Sequence, residues 1–261
     1  MLSNYHTHTY RCFHAAKEPD ENYVKVALDH GYDILGFSDH TPWPYASGFV
    51  NEHERMPMEE LSRYEASVEG LRNTYGDRVQ ILKGLECEYF PDYIPWLRSV
   101  ADRFDYLLLG NHFGLTDEHG ELYYARATTP ELVEEYTRYT LLGMQTGLFC
   151  CLCHPELPYG NYPVFDKATE ECAHAICREA AALKLPLEYN IYGVLKKQAG
   201  KLTGLGYPAR EFWQIAARYP ITAIPGIDAH RSEQLGNVHL IRQAKEYLQS
   251  LGIRVLDKLE L

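Results

Sequence analysis

Short apolar segments alternate with longer segments of helical periodicity along most of the chain. Segments such as DYLLLGNH and ITAIPGID are brief and largely apolar, a pattern typical of parallel strands that are covered on both faces. We therefore predict seven strands, near residues 2–8, 33–38, 79–86, 105–112, 149–154, 186–190 and 222–227.

The segments between these strands carry helix signals. TTPELVEEYTRYTLLG has a threonine cap, a proline in its first turn and a glycine at its end, and prolines bracket YPAREFWQIAARYP. Strict alternation of strand and helix predicts an α/β fold with a parallel sheet, either doubly wound or closed into a barrel. We expect the C-terminal GIRVLDKLEL to add a short strand or a packing tail. The predicted helices lie near 20–30, 58–75, 92–102, 130–146, 167–183, 208–218 and 233–250.

Composition and charge narrow the class of protein. A hydrophobic fraction of 46% supports a substantial core, and without an evident repeat or linker we expect one domain over residues 1–261. A net charge of −11 is poorly suited to binding long nucleic acid. We find no membrane-length apolar run, no signal-peptide pattern in MLSNYHTH, and an odd number of cysteines, seven, without disulfide spacing. These features predict a cytoplasmic protein without a membrane partner, and they leave its oligomeric state open.

Side chains that can bind metal or transfer protons occur at the C-terminal ends of the predicted strands. They are His6 and His8, Asp39 and His40, Glu86 and Glu88, His112, His154, Glu188 and Asn190, and Asp228 and His230. Side chains two residues apart in a strand share a face, and in a barrel those faces converge at the carboxyl-terminal end. Imidazole and carboxylate together suit zinc, iron or manganese, so this set predicts a metal site.

The other histidines and the clustered cysteines receive no ligand role. His30, His53, His119, His174 and His239 fall in predicted helices or loops and are interpreted as surface or packing residues. The CCLC segment at 150–153 lies in an apolar strand, so its cysteines are interpreted as small buried hydrophobic residues.

Six ordered motifs between residues 6 and 230 carry a family resemblance. HTHTYRCFH, FSDHTP, GLECEY, GNHF, CHPEL and GIDAH together resemble the polymerase and histidinol phosphatase (PHP) superfamily, specifically its histidinol-phosphatase-like branch. The resemblance implies a distorted (β/α)7 barrel, similar to a TIM barrel, with a centre of three divalent zinc, manganese or iron ions. The chain departs from the commoner pattern in GNH, at Glu156 of CHPEL and before Asp228, without losing a ligand.

The resemblance also implies three groups of metal ligands. His6, His8, Glu86 and Asp228 would hold the first ion; Glu86 would bridge to a second, completed by His112 and His154; and His14, His40 and His230 would hold the third.

The implied activity is phosphomonoester hydrolysis, with L-histidinol phosphate, from histidine biosynthesis, as the expected small substrate. We expect a metal-bridging hydroxide to attack phosphorus in line. Candidates for protonating the leaving group are Asp228, His230 and Asp39, of which Asp39 could instead orient a histidine ligand. Candidates for binding the substrate are Arg231, Lys196, Lys197 and Arg126 for its phosphate, and Glu88 for its ammonium group.

Three alternatives stay open from the sequence. The same chemistry could act on another small ester, such as a sugar or nucleotide phosphate. The chain could be a metal-binding module without turnover, although no ligand position is missing. It could also be a metal-dependent amidohydrolase, although no predicted strand ends in the lysine that such enzymes usually place there.

Overall fold

The computed structural model describes residues 1–118, 120 and 122–261, so His119 lies outside the described residues. Within them, eight strands form one parallel sheet in chain order, and the seven predicted strands are all present. The strands are β1 (Ser3–Asn4), β2 (Ile34–His40), β3 (Gln80–Cys87), β4 (Tyr106–Leu109), β5 (Cys151–Leu152), β6 (Leu187–Asn190), β7 (Thr222–Gly226) and β8 (Arg254–Val255).

Helices follow the strands on the outside of the sheet, with short 3₁₀ segments in several loops. The helices are α1 (Asp20–Asp29), α2 (Leu61–Tyr75), α3 (Ile94–Val100), α4 (Pro130–Met144), α5 (Lys167–Leu183), α6 (Ile191–Gln198), α7 (Arg210–Ala216) and α8 (Val238–Ser250). Among the described residues, no helix combines the length and the apolar character that crossing a bilayer requires.

The sheet curls until its first and seventh strands meet at the carboxyl-terminal end. Thr7 and Ala229 form a parallel bridge there, and the backbone N–H of Ala229 donates to the carbonyl of His6 at 3.0 Å. At the opposite end β8 pairs with β7, with Thr222 beside Arg254. The predicted (β/α)7 barrel is thus confirmed, with a short eighth strand as its distortion.

The barrel interior is filled below the site by its own hydrophobic cluster. Tyr106 crosses this space, and its hydroxyl donates to the carbonyl of Phe37 at 3.0 Å. The ring occupies the volume that any side chain at Gly84 would need, which explains a glycine inside a strand. Leu259 of the C-terminal tail is also buried in this cluster, so the tail supplies both a strand and packing. Because these side chains fill the barrel interior, only its carboxyl-terminal end is open to the functional side chains.

Helix α6 was not predicted from the sequence. It begins directly after β6, and the side chain of Asn190 caps it by accepting a hydrogen bond from the backbone N–H of Gly193 at 2.7 Å. Glycine lowers helix propensity, which obscured the helical pattern of IYGVLKKQ. Gly193 is nevertheless required, because a Cβ there would overlap the backbone of Tyr207.

Candidate metal centre

Glu86, near the end of β3, lies at the middle of the site and is buried. Its Oε2 atom is 3.2 Å from His6 Nε2, 3.4 Å from His8 Nε2 and 3.2 Å from His40 Nδ1. Asp228 Oδ1 approaches the first two nitrogens as well, at 3.5 and 3.1 Å. Ligands of a tetrahedral zinc ion with bonds of about 2.0–2.1 Å lie about 3.3 Å apart. The spacing of the His6, His8, Glu86 and Asp228 atoms therefore matches one metal ion.

The other oxygen of Glu86 faces a second pair of histidines. Oε1 is 2.8 Å from His154 Nε2 and 3.4 Å from His112 Nε2. The two oxygens of this one carboxylate therefore face different groups of histidines. Gly110 leaves room for the Glu86 carboxylate, because any Cβ at position 110 would overlap it.

The remaining predicted ligands lie toward the mouth of the site. His14 Nε2 and His230 Nε2 are 2.9 Å apart, and the rings of His14 and His40 are 5.3 Å apart. His8, His40 and His230 present nitrogen atoms within 4.8 Å of one another. The structure thus brings all nine predicted ligand residues to one end of the barrel.

Two of these residues have an unusual backbone conformation. His154 has φ 29° and Asp228 has φ 54°, both in the left-handed region that favours glycine. Such conformations cost about 1–3 kcal/mol and concentrate at functional sites. At both positions the chain leaves its strand and turns the side chain toward Glu86 or its partners.

Several buried polar atoms here have no hydrogen-bond partner among the described residues. Leaving such an atom unpaired costs about 1–3 kcal/mol, and all of these atoms belong to side chains clustered around Glu86. Because imidazole nitrogens and carboxylate oxygens are metal ligands, the residues present fit several divalent cations. The atoms are His6 Nε2, His8 Nδ1 and Nε2, His40 Nδ1, Glu86 Oε2, His154 Nδ1 and Asp228 Oδ1.

The protonation states agree with this chemistry. Burial would raise the pKa of Glu86 and Asp228, but the surrounding imidazoles lower both well below the usual range, so both are anionic. Burial, together with the nearby His8, lowers the pKa of His40 and His230 well below 6.5, so both are neutral. Burial also lowers the pKa of His8, but Asp228 and other carboxylates outweigh it and raise the value to about 9. A divalent ion would have to displace that proton.

Carboxylates behind the histidines fix their orientation. Glu188 Oε1 is 2.8 Å from His6 Nδ1, and Glu88 Oε1 is 2.9 Å from His112 Nδ1. An ionised carboxylate only accepts, so each ring donates from Nδ1 and presents its Nε2 to the centre. The sequence placed Glu188 at a strand end but gave it no role.

A buried arginine joins the two long loops beside the site. Arg55 forms two hydrogen bonds of 3.0 Å with the two oxygens of Glu88, and its Nε donates to Asp117 Oδ2 at 3.0 Å. The guanidinium thereby connects the loop after β2 with the loop after β4. Through Glu88 it also supports His112. We call Arg55, Glu88 and Asp117 the arginine clamp.

A cavity of about 650 Å³ lies over the centre. Lys196 and Arg126, two of the predicted phosphate-binding residues, line it. Lys196 Nζ donates to the hydroxyl of Tyr207 at 3.1 Å and lies 4.3 Å from the centre of the Tyr192 ring. The lysine charge is thereby directed into the cavity.

Four other predicted residues do not line the cavity, which argues against direct contact between them and a substrate. Glu88 is fully buried within the arginine clamp and cannot meet a substrate ammonium group. Lys197 donates to a backbone carbonyl at 3.0 Å, and Arg231 is exposed outside the cavity walls. Asp39 is buried, accepts a backbone hydrogen bond at 3.2 Å and lies 3.6 Å from His8 Nδ1, a placement suited to orienting a ligand.

Sequence reasoning missed the loop segment that forms one cavity wall. Asn51, His53 and Glu54 line the cavity, although His53 was interpreted only as a surface or packing residue. The backbone carbonyl of His53 also accepts a hydrogen bond from His14 Nδ1 at 3.1 Å. The density of charged residues in NEHER, within a long loop after a strand, was the available signal.

A parallel α/β barrel whose strand ends present histidines and carboxylates to a shared cavity is typical of metal-dependent hydrolases. Residues 4–188 match the PHP domain family. The chain belongs to that family.

Individual relatives share most of their length with this chain. It is 29% identical over 252 residues to a protein of Deinococcus radiodurans named probable histidinol-phosphatase, covering 90% of this chain and 88% of the relative. It is 24% identical over 262 residues to the histidinol-phosphatase of Bacillus subtilis, covering 88% and 94%.

A solved structure shows the same fold. Histidinol phosphate phosphatase from Lactococcus lactis, crystallised with zinc, L-histidinol and phosphate, superposes with a TM-score of 0.72. The comparison covers 100% of this chain and 99% of that one, at 18% identity. At this identity the comparison shows the fold alone.

Proposed function

We propose that this chain is a metal-dependent phosphomonoesterase that converts L-histidinol phosphate and water into L-histidinol and phosphate. The observation that carries this proposal is the position of Glu86, whose two oxygens face different groups of histidines at the base of a cavity of about 650 Å³. The near full-length relatives named histidinol-phosphatase support the choice of substrate.

In this proposal the ligand groups are those predicted from the sequence, with Glu86 shared between two ions. Bound divalent ions would supply Lewis acidity, lowering the pKa of water and neutralising phosphate oxygens. Glu188 and Glu88 accept the Nδ1 protons of His6 and His112, so the opposite nitrogens are held ready as ligands.

The chain's own residues also bind the substrate and handle its protons. Lys196 and Arg126 line the cavity and are not metal ligands in this proposal. Their positive charges would bind the negatively charged phosphate oxygens of the substrate. Asp228 and His230 line the cavity as well. Because Asp228 is anionic and His230 is neutral, either would first have to accept a proton, for which the attacking water is a source, before it could protonate the leaving alkoxide.

The dimensions and charge of the site favour a small substrate. The cavity volume of about 650 Å³ lies in the range of small-molecule sites, and the chain's net charge of −11 opposes a polyanion. We therefore propose a single small phosphate ester, and not long nucleic acid, as the ligand.

Two neighbouring lysines offer a matched test. With manganese or zinc bound, we expect the purified protein to hydrolyse L-histidinol phosphate with a higher kcat/KM than sugar phosphates or nucleoside monophosphates. Lys196→Ala should lower that kcat/KM by about 10- to 100-fold through loss of a charge-assisted contact. Lys197→Ala removes the same charge one residue away, outside the cavity, and should change it by less than about twofold.

Two results would contradict the proposal. One is hydrolysis of other phosphomonoesters without hydrolysis of L-histidinol phosphate. The other is an equal effect of the two lysine substitutions, which would place the phosphate away from Lys196.

A further inference from the structure

Three carboxylates line the cavity among the described residues, and one of them has no assigned task. Glu86 and Asp228 are buried and face the histidines at 3.1–3.5 Å. Glu54 is 17% exposed, and no described side chain donates a hydrogen bond to its carboxylate. His40 Nε2 lies 3.8 Å from Glu54 Oε1, beyond hydrogen-bonding distance. Glu54 thus presents an unpaired negative charge to whatever fills the cavity.

The position of this charge is specific. Its 3.8 Å separation from His40 Nε2 places it beside the ligand cluster and not at a distant rim. Lys196 and Arg126 give the same cavity positive charge. A ligand that carries both a phosphate and a nearby cation would complement both kinds of group.

We infer that Glu54 is a specificity-determining residue that binds the ammonium group of an amino-alcohol phosphate. The inference rests on the proposed function, in which the substrate carries its ammonium on the carbon next to the ester-bearing CH₂. A phosphate held at the centre therefore keeps its ammonium close to the cluster, where Glu54 lies. This role replaces the one predicted for Glu88, which is enclosed by the arginine clamp.

The chain offers a matched control in the same loop. Glu52 is exposed, lies outside the cavity walls and is two residues from Glu54. Glu54→Gln and Glu52→Gln remove the same charge with the same change of shape. Only the first removes it from the cavity.

The experiment compares L-histidinol phosphate with its desamino analogue, 3-(imidazol-4-yl)propyl phosphate, on metal-loaded protein. We expect Glu54→Gln to reduce the ratio of the two kcat/KM values by about 10- to 100-fold, the size of a lost charge-assisted hydrogen bond. Glu52→Gln should leave the ratio within about twofold of wild type. Calorimetry should show a matching loss in the binding of L-histidinol, but not of 3-(imidazol-4-yl)propan-1-ol.

The outcomes separate this inference from the proposed function. An equal loss with both substrates would overturn it and assign Glu54 to orienting His40. An unchanged ratio and unchanged L-histidinol binding would also overturn it. Wild-type protein that does not hydrolyse L-histidinol phosphate would contradict the proposed function, while the comparison of L-histidinol binding would still decide the role of Glu54.

Discussion

Replacing Arg55 with methionine should strongly destabilise the protein. Arg55 is 1% exposed, and its guanidinium pairs with Glu88 at 3.0 Å and with Asp117 at 2.9 Å. Methionine fills similar volume but leaves both carboxylates buried without their cation. Breaking a buried ion pair from one side costs about 3–5 kcal/mol. For a chain of this size, that loss corresponds to a fall in Tm of about 6–20 °C.

Urea unfolding of matched variants measures this loss. Arg63→Met is the control, because Arg63 is 76% exposed and pairs with Glu60 on the surface, where an ion pair contributes at most about 1 kcal/mol. Adding Glu88→Gln to Arg55→Met should recover part of the stability, because it removes one uncompensated charge. A loss below about 1 kcal/mol for Arg55→Met, or no recovery in the double variant, would refute the reasoning.

Three further predictions concern the metal ligands. Glu188→Gln should weaken metal binding about 10- to 100-fold, since His6 loses its ionised acceptor; competition with a chelating indicator measures this, and unchanged affinity would contradict it. Gly110→Ala should weaken binding in the same assay by displacing Glu86, and a variant with wild-type affinity would show that the carboxylate has room to move. Removing metal with a chelator should lower Tm, and adding manganese or zinc should restore it, because Glu86 and Asp228 then regain a cation; a Tm indifferent to chelator would argue against bound ions.

The strand ends could be predicted from the sequence because their signals are local. A short apolar run predicts a parallel strand, and a residue that directly follows such a strand lies at the carboxyl-terminal end of the barrel. His112 after β4 and His154 after β5 illustrate this, since each follows its strand within a few residues. The pattern thus located most of the side chains that the structure brings together, without any knowledge of tertiary contacts.

The loops and the lysine pair could not be resolved in the same way. Whether Glu54 or Glu52 faces the cavity depends on how the loop after β2 packs on the loop after β4. The ion pair of Arg55 with Asp117, two residues far apart in the sequence, holds these loops together. Which of the two lysines of α6 lines the cavity depends on which face of the helix is turned toward it. Because Gly193 obscured that helix, both lysines received the same predicted role.

Anomalous diffraction from crystals of the metal-loaded protein, soaked in phosphate, tests the metal centre most directly. We predict separate metal peaks on the two sides of Glu86, one within bonding distance of His6 and His8 and another within bonding distance of His112 and His154, with phosphate above them. Peaks found only at the protein surface, or a Glu86 carboxylate that contacts no metal ion, would contradict the proposed metal centre and the phosphatase activity that depends on it.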